Sequence, residues 1–366
     1  MGTVAFFERT FLCANKFIRK TLVTYGEYKN IKRKKKLIDS VTLTKEQEKE
    51  IREYFKEFYG KSISTKWHRL YQSYLGTYRH NYFPEILYTS KLEPLTNPYR
   101  TAELFGDKNL LDSFFGDIEG VHIPHTYVSC VNGVIRCDNT ILNLDAAAKK
   151  ITNIGNCVIK KTVETSSGRD VMLCNIVDGY DTKTKLPISE ILRSFGSNYV
   201  VQEKIEQSDV LKQFNASSLN TFRVITYILD DEIKVCPISF RMGRGNADRD
   251  NIHYGGIVVG VNQSGELKEY AFSEYGEKLS KHPDSQVEFS KAVIPQVPKI
   301  IETAKILHQH MPYLGILSWD LSLDSNNVPV LIEMNSIGQS VWFCQMINGE
   351  PLFGEDTPKM LAKIRK

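Results

Sequence analysis

Near the carboxyl end, two apolar stretches, GILSWDLSL and VPVLIEMN, carry Asp320, Glu333 and Asn335 inside them. Read as strands, their side chains alternate between two faces. Ile316, Ser318, Asp320 and Ser322 then share one face, with Leu317, Trp319, Leu321 and Leu323 opposite; Leu331, Glu333 and Asn335 fall together, opposite Val330, Ile332 and Met334. A two-residue turn at Asn326-Asn327, both tolerant of positive φ, predicts the facing pairs Asp320–Glu333 and Ser318–Asn335. Carboxylates opposed in this way, with Cβ atoms ~5 Å apart, repel unless a positive charge lies between them. Such oxygen donors suit a hard divalent cation, above all Mg²⁺ shared with nucleotide phosphates. A looser turn instead leaves both acids facing water on an edge strand.

Two carboxylates and an amide usually share their ion with substrate phosphates, so cationic and glycine-rich partners are expected elsewhere. CVIKKTVETSSGRDVML places Lys160 or Lys161 at the end of an apolar strand, followed by a small loop through Ser167 and Gly168. Backbone N–H groups and hydroxyls of such a loop fit a triphosphate, although a Ser-Ser-Gly hairpin is common by itself. YVVQEKIEQSD ends a strand in Gln202, Glu203, Lys204 and Ile205, suited to the edge and face of adenine, with Asp209 as acceptor for ribose hydroxyls. A plain strand running into a charged turn reads the same. LNTFRVITY and SFRMGRGNADRDNIHYGG bring Arg223, Arg241, Arg244, Arg249, Asn251 and His253 ahead of Gly255-Gly256. Guanidinium forks match carboxylate or phosphate; a solvated basic loop is the plainer alternative, and a lone His beside paired glycines is more often structural than an acid or base.

These residues need a scaffold to position them. A chain of 366 residues with 42% hydrophobic content supports two or more domains. Seven scattered cysteines (Cys13, Cys130, Cys137, Cys157, Cys174, Cys236, Cys344) include no CxxC pair, which excludes a disulfide framework or zinc site and points to the cytoplasm. Glu8 and Arg9 break the apolar amino end, and Phe6 stands where a myristoylation signal carries Ser or Thr; no signal peptide, span or lipid anchor is read. Over residues 1–80, 18 Lys and Arg face 8 Asp and Glu, while the whole chain carries +4, so the remainder is acidic. The run KNIKRKKK, Lys29 to Lys36, is either a solvated face or a contact for anionic lipid or a phosphorylated partner. No nucleic-acid recognition motif accompanies it.

The amino-terminal residues read as helical. Thr44 and Gln47 form a capping box, and Ile51, Tyr54, Phe55, Phe58 and Tyr59 follow at helical spacing; Trp67, Leu70, Tyr71, Tyr74, Leu75 and Tyr78 make a second stripe. Aromatic stripes of this kind are more often core than ligand groove. From about residue 85 the texture changes to short strands, beginning with YFPEILYTSKLEPLTNP and interrupted by helices at KNLLDSFF and 297–310. The order predicts an α+β protein with mainly antiparallel strands: a basic helical extension (1–85), a small subdomain with its pre-region (86–205), and a carboxyl-terminal subdomain holding the metal site (206–366).

In chain order, GDK (Asp107, Lys108), VIKK with its Ser-Gly loop, VVQEKI, NTFRVITY, FRMGRGNADRDNIHYGG, SWDLSL and VLIEMNS resemble an ATP-grasp enzyme over about residues 100–345. The Arg…Asn…Gly-Gly portion is similar to ligases that add glutamate to ribosomal protein ends. The helical extension with NTFRVITY looks more like the sugar-transfer-associated ATP-grasp group found with bacterial capsule and polysaccharide genes. The resemblance implies two α+β subdomains clamping ATP. Lys108, Lys160, Ser167 and Gly168 would hold phosphates, Gln202, Glu203, Lys204 and Ile205 the adenine, and Asp209 the ribose. Asp320, Glu333 and Asn335 would carry two Mg²⁺ ions, with Arg223, Arg241 and Asn251 facing the γ-phosphate and the reacting carboxylate. Two departures stand out. The family's KP after the second phosphate lysine is KK here, leaving Lys160 and Lys161 both open, and the helical amino end replaces the α/β substrate domain of many relatives.

The implied reaction is ligation: a carboxylate activated as acylphosphate and joined to an amine on a glycan or glycan precursor. A kinase phosphorylating a sugar hydroxyl is the alternative on the same scaffold, and a nucleotide-binding scaffold for polysaccharide enzymes the alternative of another class. Expected partners are a small carboxylate, an amine or sugar-linked nucleophile, and anionic membrane or glycan-assembly proteins at the basic amino end, with no nucleic acid. The expected location is the cytoplasm, with peripheral contact at the inner membrane face.

Overall fold

Helices begin the chain, and sheets follow. The computed structural model describes residues 3–138, 140–162, 171–245, 247 and 250–365, with backbone alone for 3–17. Two compact units emerge, Met1–Tyr99 with Ile337–Lys366, and Arg100–Ser336.

In the first unit, Thr3–Arg33 is one long helix. The helix Lys45–Phe58 starts where the capping box predicts: Thr44 Oγ1 accepts the Gln47 N–H and the Gln47 side chain accepts the Thr44 N–H, at 3.2 and 3.0 Å. Two orphan donors of the first turn are thereby met. Both aromatic stripes form core, with Ile51, Phe55, Trp67, Leu70, Tyr71 and Tyr74 buried.

YFPEILYTSKLEPLTNP, expected as short strands, is helical instead: Glu85–Leu87, a π turn Tyr88–Leu92, and Glu93–Thr96. Its prolines are the reason for the misreading. Pro84 is an N-cap and Pro94 sits in a first turn, positions where the missing N–H costs nothing. Buried Glu85 and Glu93 then serve as acceptors: Glu93 takes the Gln339 N–H at 3.0 Å and Glu85 the Val341 N–H at 3.1 Å. Burial pushes the Glu93 carboxyl up to about 7, against these donors, and that of Glu85 well above the usual range. Buried Gln345 adds a reciprocal pair with the Phe83 backbone at 2.8 and 3.0 Å. Residues 337–366, read from sequence with the carboxyl-terminal subdomain, thus belong to the first unit.

The second unit holds two antiparallel sheets. In the first are β1 (Thr126–Val131), β2 (Val134–Cys137), β3 (Thr140–Leu142), β4 (Gly155–Lys161), β5 (Val171–Val177), β6 (Tyr180–Asp181) and β7 (Tyr199–Glu203), in the order β3-β2-β1-β7-β4-β5-β6. The other contains β8 (Thr221–Leu229), β9 (Glu232–Val235), β10 (Ile238–Met242), β11 (Ile257–Val261), β12 (Leu267–Phe272), β13 (Lys278–Leu279), β14 (Ile316–Leu323) and β15 (Pro329–Asn335), in the order β13-β12-β11-β10-β8-β14-β15 with β9 on β8.

Each sheet commits one face to core. Cys157, Ile159, Ile176 and Val201 of the first pack with Ala147, Ile191 and Leu192 of two covering helices, so Lys160, one residue along β4, points to the other face. Beneath the second sheet, the helix Val297–Gln309 carries Pro298 in its first turn, as predicted. Its His308 and the β14 residue Trp319 both meet Thr226 Oγ1, at 2.7 and 2.8 Å, which turns Asp320 to the opposite face.

Candidate active site

The hairpin β14–β15 pairs Asp320 with Glu333 and Ser318 with Asn335. It reaches that register by a different route from the one predicted. The turn has three loop residues, not two: Asp324 exchanges backbone bonds with Val328 and Asn327 at 2.9 Å, Asp324 Oδ1 accepts the Asn326 and Val328 N–H groups, and Asn327 takes a φ of 60°. Near the turn Leu321 therefore pairs with Leu331 and Ser322 with Val330. A bulge at Ile332 supplies the extra residue and restores the register at Glu333. Leu331, expected beside Glu333, lies with Leu321 on the apolar face, because the bulge reverses the alternation there.

Across the second sheet, Ser239, Arg223, Asp320 and Glu333 form one cross-strand row through β10, β8, β14 and β15. Arg223 grips Asp320 with both arms of its fork, Nε to Oδ1 at 2.5 Å and Nη2 to Oδ2 at 2.9 Å. Arg241 adds a third donor to Oδ2 at 2.8 Å. Burial alone would raise the Asp320 carboxyl, yet these two guanidinium groups hold it below the usual carboxylate range. Arg241 also donates to Thr221 Oγ1 at 2.9 and 2.6 Å and lies 3.6 Å from Asp250. Asp250 in turn bonds Thr221, and burial raises its carboxyl against the pull of Arg241.

The lysines approach from the first sheet's side of the unit. Lys108, opening a short 3-10 helix capped by Asp107, reaches Glu333 Oε1 at 2.9 Å. Lys160, at the end of β4, feels both Lys108 and Glu333. Loss of hydration, with repulsion from Lys108 behind it, pulls its ammonium down to about 8. Of the two adjacent lysines it is Lys160 that faces this place.

Other expected residues sit further out. Gln202 is buried on β7, donating to Thr126 Oγ1 at 3.1 Å and the Pro124 carbonyl at 3.4 Å. Glu203 is bound by His122 Nε2 at 2.8 Å and by the His125 N–H at 3.2 Å, while Lys204 is exposed and Ile205 half-buried. Asp209 starts a short helix, its side chain 97% exposed and ion-paired to Lys212 at 3.4 Å. Asn251 is not drawn into the row: its side-chain oxygen accepts the His253 N–H at 2.8 Å, capping a 3-10 turn. Ser167 and Gly168 lie outside the described residues.

Sequence reasoning missed Thr221, Asp250 and His122. Thr221 and Asp250 stand beside residues it did choose, one strand position before Phe222-Arg223 and one residue before Asn251. His122 gave no signal, because its partners are distant in sequence: besides Glu203 it meets Asp324 Oδ2 at 3.1 Å, tying the β7 end to the β14–β15 turn.

Two carboxylates and an amide are oxygen donors of the kind a divalent cation takes, although Lys108 already holds Glu333. Asn335 Nδ2 is buried with no partner among the described residues, and a half-turn of that amide presents its oxygen in the same place. Glu333 is about a third exposed at 32%. Asp320 is the least available, since three N–H groups already occupy its oxygens. Among the described residues no three His, Cys, Asp or Glu side chains cluster to hold an ion alone, so substrate oxygens or water would complete the shell.

Residues 87–360 match the family described as sugar-transfer associated ATP-grasp. The chain belongs to that family. No curated protein matches it in sequence. Solved structures similar to it include N5-carboxyaminoimidazole synthetase from Staphylococcus aureus complexed with ADP (12% identity, 74% of this chain and 55% of that one, TM-score 0.44). Others are an L-amino acid ligase from Bacillus licheniformis (14%, 67% and 43%, 0.36) and the VanG D-Ala:D-Ser ligase from Enterococcus faecalis (18%, 72% and 62%, 0.39). The chain spans less than two thirds of each of these proteins.

Proposed function

We propose that this member of the sugar-transfer associated ATP-grasp family is an ATP-dependent ligase that joins a carboxylate to an amine on a glycan or glycan precursor. The observation that carries this reading is the meeting of Lys108, Lys160 and Glu333 beside the Arg223–Asp320 row. Two ammonium groups near one carboxylate leave a positive charge to be answered, and a polyphosphate answers it. The family's description is the ground for placing the nucleophile on a sugar.

In this reading Lys108 and Lys160 orient the phosphates, and the β7 end from Gln202 to Ile205, with Asp209, receives the nucleoside. A carboxylate oxygen of the substrate attacks the γ-phosphorus, ADP leaves, and the amine then displaces inorganic phosphate from the acyl carbon, giving up a proton. Arg223 and Arg241, fixed by Asp320, neutralise charge on the transferring phosphoryl group, where preorganised donors act most strongly. Glu333 and Asn335, with Asp320, would hold Mg²⁺, which supplies charge neutralisation for the phosphates when bound.

Phosphate release from ATP, measured over a panel of sugar acids, amino acids and amino sugars, tests the proposal. Release should require an acid and an amine together; a phosphate ester formed without free phosphate would identify a kinase and overturn it. Glu333→Gln should raise the Mg²⁺ concentration for half-maximal release by about tenfold or more, and an unchanged requirement would remove Glu333 from the metal set.

A further inference from the structure

From residue 18 onward, the helix Thr3–Arg33 leaves one face exposed. Ile18, Leu22 and Tyr25 are 54%, 65% and 70% exposed, and their spacing of four and three residues puts them in a single stripe. Lys29 extends that stripe, and Lys32 and Arg33 flank its end, all three exposed. Glu27 and buried Ile31 mark the opposite, inward side. Residues 18–38 contain eight Lys and Arg and one acid, and two of those cations are turned inward onto rings: Arg19 over Tyr99 and Lys34 over Trp342. In the sequence, Val4, Phe7, Phe11 and Ala14 continue the stripe's spacing upstream.

We infer that this face is a docking surface for an anionic lipid bilayer, on which the helix lies flat, with Ile18, Leu22 and Tyr25 in the acyl boundary and Lys29, Lys32 and Arg33 among the headgroups. Stable attachment of a helix to an interface takes two signals, apolar area and cationic charge, and this face supplies both. Placement on a bilayer does not depend on the reaction proposed above. No helix among the described residues is long and apolar enough to cross a membrane, so this helix would lie on the bilayer. Charge favours lipid over a second copy of the chain. In a self-paired parallel seam, Lys29 and Lys32 would oppose their own counterparts, whereas anionic headgroups neutralise them.

Sedimentation of the full chain with vesicles of phosphatidylcholine alone, or with added phosphatidylglycerol, tests this. Binding should appear with the anionic vesicles and fall as salt rises. Leu22→Glu with Tyr25→Glu should abolish it, and Lys32→Glu with Arg33→Glu should weaken it about tenfold. Both pairs are exposed, and thermal unfolding coincident with the wild type confirms that each variant is folded. Equal binding to neutral vesicles, absence of binding to either, or retained binding by the Leu22→Glu, Tyr25→Glu variant would overturn the inference. So would a dimer, seen by analytical ultracentrifugation, that Leu22→Glu dissociates, since the stripe would then belong to a second copy.

Discussion

The two sheets of the second unit prepare charge in opposite ways. In the eight-stranded sheet both arginines at the site have an acid in hand: Arg223 and Arg241 share Asp320, and Arg241 also lies near Asp250. On the seven-stranded sheet Lys160 sits at a strand end, its ammonium weakened by lost hydration and by Lys108. One side is a closed network, costly to open. The other holds a cation at an energetic disadvantage until an anion arrives. A site built from both gains rigidity where geometry matters and responsiveness where the ligand enters.

The sharpest way to break that contrast is on the closed side. Asp320→Ala would leave two largely buried guanidinium groups without their shared acceptor, and should cost about 3 kcal/mol of stability by urea denaturation, together with all ATP-dependent phosphate release. A loss below about 1 kcal/mol, within the range of an exposed pair, would show that the row is not closed. On the open side, Lys160→Met should lower phosphate release about 100-fold, while thermal unfolding stays at the wild-type temperature or rises, because a poorly hydrated charge has been removed. A variant less stable than wild type would make Lys160 part of the scaffold. The smallest effect is a slope. The folded protein releases the Lys160 proton near 8, whereas an unfolded lysine keeps it to about 10.5. Between those values the unfolded chain binds more protons, so wild-type stability should gain from this group as pH rises. Subtracting the Lys160→Met curve isolates it, and identical pH profiles would place Lys160 in water.

Most of this architecture was legible because short apolar runs bounded by turn residues read as strands. VVQE, FRVITYIL, ILSWDLSL and VLIEMN all became strands, and helix 297–309 began at its proline. Period-two reading brought Asp320 and Glu333 to one sheet face, and the structure adds Arg223 and Arg241 beside them. It failed where local chemistry outranked pattern. Asp324 captured the turn with its own carboxylate, which two adjacent asparagines concealed, and Pro84 and Pro94 started helical turns where they read as breaks. Asn251 was chosen for its company among arginines, yet Asp250 beside it makes the contact. A contact such as that of His122 with Glu203 and Asp324 joins residues far apart in the chain, and no short-range spacing encodes it.

The bulge at Ile332 has a further meaning. With three loop residues on one side and one surplus residue on β15, the hairpin behaves like a vernier. The distal end can change length by one residue, provided the strand gives one back, while Asp320 and Glu333 stay opposed. Deleting one loop residue should leave Asp320 opposite Glu333, because the bulge at Ile332 can straighten to absorb the loss. The active end of the hairpin is therefore insulated from the length of its turn, where Ser325 and Asn326 are exposed while Asp324 stays tied to His122.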